Sequence, residues 1–92
     1  MARYRITYWQ TIPAQVEAFD ATVRVRRPLD PRFQGLIDAA AMRQGLTGTD
    51  AYLQGWHVGP ELEREGEPEA VAAAVAAELE AQFDAFRASA RE

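Results

Sequence analysis

Apolar and polar positions alternate with a period of two over residues 3 to 9, "RYRITYW", where Tyr4, Ile6 and Tyr8 oppose Arg3, Arg5, Thr7 and Trp9. Successive strand side chains point to opposite faces, so this predicts a half-buried strand built from β-forming residues. "QTIP" interrupts it. Ala14, Val16 and Ala18 then alternate with Gln15 and Glu17, a weaker run that fits a short second strand, and Asp20-Ala21 reads as a turn. In "TVRVRRP" the alternation returns, Val23 and Val25 against Arg24 and Arg26, and stops at Pro28. A strand exposed on one side is expected there.

The period then changes. "LDPRFQGLIDAAAMRQG" has Asp30 as N-cap, Pro31 at the first helical position and Gly45 just past the end, which predicts a helix over about residues 31 to 44. Phe33, Leu36, Ile37, Ala40 and Ala41 make one apolar stripe along it, while Asp38 and Met42 fall outside. After "GLTGT", the segment "DAYLQGWHV" has the length and β-propensity of a strand, with Tyr52, Trp56 and Val58 on one face and Leu53 and His57 on the other. "GPELEREGE" reads as a solvated polar connection. Pro68 opens a second helical pattern, in which Val71, Val75, Leu79, Phe83 and Phe86 predict one amphipathic helix over about residues 68 to 89.

The order β-(β)-β-α-β-α, with alternating strands, predicts an α+β two-layer sandwich. Its three- to four-stranded sheet is mostly antiparallel and carries both helices on one face, with a parallel crossover after the first helix left open. No repeat or linker divides residues 1 to 92, which read as a single α+β domain.

Composition narrows the functional classes. A chain of 92 residues with 48% hydrophobic and 26% charged residues is close to the average for soluble globular domains, which argues against wholesale disorder. The alanine-rich run "AVAAAVAA" is too short to cross a bilayer, and "MARYRITYW" lacks the apolar core of a secretory signal, so a cytoplasmic protein without a membrane partner is expected. Cysteine is absent, which removes disulfides, thiolate metal sites and cysteine nucleophiles.

The net charge of −4 is unevenly distributed: residues 1 to 60 carry +2 and residues 61 to 92 carry −6. Nucleic-acid binding draws most of its affinity from summed positive charge, so it is disfavoured.

No catalytic constellation is visible. His57 is the sole histidine and Ser89 the sole serine, and neither a second imidazole nor a paired-acid motif accompanies them. Gly45 and Gly48 precede a predicted strand rather than a helix, Gly55 and Gly59 punctuate that strand, and the Lys-Ser/Thr of a phosphate loop is missing. The sequence therefore implies no enzyme, no metal site and no cofactor.

What remains is a surface. If Tyr4, Ile6, Tyr8, Val23 and Val25 face the helices, Arg3, Arg5, Arg24, Arg26 and Trp9 share the opposite face. Guanidinium forks bind carboxylates in bidentate fashion, which suits an acidic protein partner, and the compensating acid is expected from Glu17, from the C-terminal third or from a second copy in a homodimer. Trp56, beside Tyr52, is a further interaction candidate. The leading reading is a non-enzymatic protein-interaction module. The alternative is a small-molecule or cofactor binding accessory subunit of an enzyme, with Trp9, Tyr52, Trp56 and His57 around a pocket.

Taken together, "YW", "IPAQV", "PRFQGLIDAAAM", "GLTGTDAYLQGW" and "VAAELEAQF" resemble the small bacterial domain family labelled virulence factor, which also occurs fused within a larger conserved staphylococcal virulence protein. The resemblance runs from Tyr4 to about Phe83 and is most specific between Pro31 and Trp56. It implies a compact cytoplasmic domain that works with other proteins and carries over no catalytic residue.

Overall fold

The computed structural model describes residues 1–90. It is an α+β fold in which a five-stranded, entirely antiparallel sheet is covered on one face by helices. β1 (Ala2–Trp9), β2 (Ile12–Phe19) and β3 (Arg24–Pro28) form a meander. Two short strands, β4 (Trp56–Val58) and β5 (Leu62–Arg64), pair one after the other along the free edge of β1. Pro60 lies between them, and a residue without an N–H interrupts a ladder at that point.

The first helix, α1 (Pro31–Arg43), forms because both of its ends are specified locally. The Asp30 carboxylate accepts the Arg32 amide at 3.0 Å, and Pro31 needs no partner in the first turn. At the other end Gly45 adopts φ 72°, which lets its own N–H reach Met42 O and the Leu46 N–H reach Ala41 O. That pair of bonds is the Schellman arrangement. Phe33, Ile37, Ala40 and Ala41 are buried, with Leu36 half-buried at the rim.

Beyond α1 the chain departs from its predicted course in three places. Residues 50–58 do not make one strand, because Asp50–Gln54 is a short helix, α2, and only the last three residues join the sheet. The Thr49 hydroxyl accepts the Tyr52 amide at 3.3 Å and Asp50 lies in the first turn, so the local capping outcompetes the β-propensity of Tyr52 and Leu53. Secondly, the acidic stretch is not wholly a solvated loop, since Leu62–Arg64 forms β5.

Thirdly, the C-terminal helix is two helices, α3 (Pro68–Ala81) and α4 (Phe83–Ala90), broken at Gln82. The break is tied to the start of α1: Arg32 donates to the Glu80 carbonyl at 2.9 Å, and the Glu80 carboxylate accepts the Asp30 amide at 2.8 Å.

These helices fill one layer. Val71, Ala72, Val75 and Ala76 of α3 are buried over the sheet, where alanines let the backbone approach closely. Val16 and Ala18 meet them from β2, with Tyr4, Ile6 and Val25 half-buried alongside. Val23, expected to point inward, lies outside β3 and is 47% exposed in the turn that Asp20 closes by accepting the Thr22 and Val23 amides at 2.8 Å each. Phe83 and Phe86 turn onto Phe33 edge-to-face, with centroids 5.1 and 6.1 Å away. Arg64, on β5, ties the sheet edge to α3 by a two-pronged contact with Glu78 at 3.0 and 2.7 Å.

Candidate functional site

The face of the sheet away from the helices is laid out by the strand register. Arg5, Glu17 and Arg26 stand directly opposite one another across β1, β2 and β3, and Arg3, Phe19 and Arg24 form the adjoining row. Alternation places all six on the same side, so the face has a cation–anion–cation row beside a cation–aromatic–cation row. The Phe19 ring lies under two guanidinium groups, Arg24 at 4.7 Å and Arg5 at 5.6 Å from its centroid. Such stacking leaves the guanidinium edge free to donate.

Glu17 is the centre of the arrangement. Its side chain is only 7% exposed although the face is uncovered, because the arginines themselves shield it. Arg5 reaches Oε1 at 2.7 Å, Arg24 reaches Oε1 at 2.9 Å and Arg26 reaches Oε2 at 3.1 Å. Burial on its own pushes this carboxyl up, but the hydrogen bonds from Arg5, Arg26 and Arg24 outweigh it and hold the pKa below the ordinary glutamate value.

A stability consequence follows. With the folded pKa depressed, the unfolded chain binds more protons, so the stabilisation is complete above the unfolded value of about 4.3 and fades as pH falls through the folded one. Glu17→Gln should therefore cost about 1 to 3 kcal/mol at neutral pH, below the usual range for breaking a fully buried pair because the guanidiniums remain open to water. The difference from wild type, read from urea melts, should narrow below about pH 4. A pH-independent difference would mean that the loss is one of packing.

The other arginine, Arg3, has its own acids. It contacts Glu61 at 3.0 Å and Glu63 at 3.9 Å on the neighbouring edge. The charge of the face is thus largely balanced within the chain, yet the arginine side chains stay 38 to 68% exposed.

The aromatic candidates lie elsewhere. Strict alternation puts Trp9 beside Arg3 and Arg5, but the β1–β2 register slips between Thr7 and Tyr8, which leaves Ala14 without a partner. Such an irregularity re-aims the side chains beyond it. Trp9 has no exposed surface and donates its indole N–H to Tyr52 O at 2.8 Å, so it is a core residue and not part of the arginine face. Trp56 is half-buried opposite Trp9 in the ladder, with Tyr52 against it at 6.3 Å. His57 is exposed, stacks on Tyr8 at 5.5 Å and contacts Gln10 O at 2.7 Å. Of these four, only Tyr52 lines the shallow apolar depression formed with Asp38, Ala41, Met42, Thr47 and Gly48.

Among the described residues, no group of three His, Asp or Glu side chains is placed to hold a metal ion. Nor is any helix among them long and apolar enough to cross a membrane.

The arrangement sits within a recognisable family. The model of the family described as Virulence factor matches residues 7–90, nearly the whole chain. The chain belongs to the Virulence factor family. Neither a curated protein nor a solved structure matches it. The match takes in β2 to β5 and α1 to α4 but only the last three residues of β1, so Glu17, Phe19, Arg24 and Arg26 lie within it and Arg3 and Arg5 do not.

Proposed function

We propose that this member of the Virulence factor family is a cytoplasmic, non-enzymatic interaction module that presents its arginine face to an acidic segment of a protein partner. One observation carries the reading: three arginines are fixed by their guanidinium groups around one buried carboxylate, and their side chains still present more than a third of their surface to solvent. Each guanidinium has five N–H donors, whereas a carboxylate has about four acceptor positions, so donors remain after Glu17 is satisfied. Holding long side chains in place before binding also reduces the ordering cost of association.

The test is affinity capture from the native cell with mass spectrometry, comparing wild type with Arg24→Glu combined with Arg26→Glu. Partners held through the face should be lost from the double variant and should elute between about 0.05 and 0.5 M salt as screening lengths shorten. Capture that is indifferent to both changes would exclude the face as the binding surface.

A further inference from the structure

The two edges of the sheet carry opposite charge. β3 forms one edge and holds Arg24, Arg26 and Arg27, while β5 and the residues beside it form the other and hold Glu61, Glu63 and Glu65. Both are open, since neither has a further strand against it among the described residues. On β3 the backbone is ready to pair. The bonds Asp20 N–H to Val23 O and Leu29 N–H to Ala14 O fix the phase of the β2–β3 ladder. By alternation, Arg24 and Arg26 turn their N–H and C=O groups outward, and Pro28 takes the next outward position, where no N–H is left unpaired.

We propose that these edges join copies of the chain head to tail, β3 of one copy against β5 of the next. The inference rests on the interaction-module reading and names a second copy as a partner. Strand direction permits it: β1 is antiparallel to β2 and to β5, and β2 to β3, so β3 runs opposite to β5. A copy displaced sideways without rotation therefore presents β5 antiparallel to β3 and continues the sheet.

The register then matches charge to charge. Arg24, Phe19, Arg3 and Glu63 lie in one row, and Val25, Ala18, Tyr4 and Leu62 in the next. An unstaggered continuation sets Arg24 against the next copy's Glu63 and Val25 against its Leu62, and one step on brings Arg26 level with Glu61. Leu62, 44% exposed in the single chain, gains an apolar neighbour.

The same charges exclude the symmetrical alternatives. β3 against β3 opposes arginines, and β5 against β5 opposes glutamates, whereas only the unlike pairing is attractive. A heterologous contact of this kind does not stop at a dimer unless the rotation closes a ring. The edges are short and each contains a proline, so the contact is weak, reversible and salt-sensitive.

Sedimentation velocity on the full chain tests this over about a hundredfold range of concentration. At low salt the average mass should rise without levelling at a dimer, and about 0.5 M salt should weaken association at least about tenfold. Arg24→Glu with Arg26→Glu, and separately Glu61→Arg with Glu63→Arg, should each sediment as monomers, while their equimolar mixture associates again. Circular dichroism establishes that each is folded. Arg27→Glu puts an acid on the basic edge strand at a residue used by no ion pair among the described residues, so it should weaken association several-fold and gives the same reading should either reversal fail to fold.

A wild-type chain that stays monomeric at low salt, levels at a dimer, or associates equally well after either reversal overturns the proposal. Glu61→Arg with Glu63→Arg keeps the four face arginines. Acidic-partner capture that survives in this variant while self-association is lost supports both readings. Loss of capture in a folded, monomeric variant counts against the face alone.

Discussion

Replacing Phe33 by alanine should lower stability by about 3 to 5 kcal/mol, the usual cost of truncating a buried phenylalanine. Phe33 is 1% exposed and joins three elements, since it belongs to α1, packs over the sheet layer and receives Phe83 and Phe86 edge-to-face from α4. Those aromatic pairs contribute beyond area alone. A domain of this size has a total stability of about 5 to 15 kcal/mol, so the variant should sit near the threshold of folding, with its melting temperature lowered by more than about 12 °C. Hydrogen exchange should show α4 opening before α3, because α4 has no fully buried residue and is held largely by these rings. A melting temperature within a few degrees of wild type would show that the α1–α4 contact is not part of the cooperative core.

Phe33 was legible from its place in the stripe of α1, and it is instructive why. The N-cap, the proline and the terminal glycine of α1 act within four residues of themselves, and its apolar spacing needs only a flat layer to pack against. Where the outcome depends on distant partners, local pattern misleads. The break at Gln82 cannot be foreseen from "AELEAQFDAF", because what holds the end of α3 there is Arg32, 48 residues away along the chain. Leu62 is a single apolar residue among acids, and it becomes a strand only because β1 leaves an edge for it opposite Tyr4.

The candidate surface divides in the same way. Arg3, Arg5, Arg24 and Arg26 share a face because strand alternation is local, and Glu17, which alternates in phase with them, was the natural acid to lie among them. Phe19 continues that phase two residues beyond Glu17 and would have been recognised had the second strand been extended to it. Alternation alone misplaces Trp9, because the register irregularity after Thr7 is a property of two strands together, invisible in either one. The turn that follows adds to this: Gln10 adopts φ 54°, a conformation rare for a residue with a Cβ, and its N–H reaches Gly55 O at 2.8 Å.

Gly55→Ala should cost about 2 to 4 kcal/mol, and the reason is Trp9. A Cβ at this position would stand 2.6 Å from Nε1, 2.9 Å from Cε2 and 3.1 Å from Cδ1 of the indole. The ring cannot yield cheaply, since it has no exposed surface and its N–H is committed to Tyr52 O at 2.8 Å, one turn before the glycine. Moving it adds overpacking strain to the loss of a buried hydrogen bond. Backbone conformation does not contribute to the loss, because Gly55 has φ −68° and ψ −23°, values that alanine adopts without strain. Gly35 supplies the control: it lies inside α1 with nothing within 4 Å of its would-be Cβ, so Gly35→Ala should stabilise by about 0.5 to 1 kcal/mol. Urea denaturation of both variants, with near-ultraviolet circular dichroism to report the Trp9 environment, separates the effects. A Gly55→Ala protein as stable as wild type would mean that α2 does not press its last turn onto Trp9. The half-buried Trp56, which follows that turn directly, would then regain its claim to a place on a binding surface.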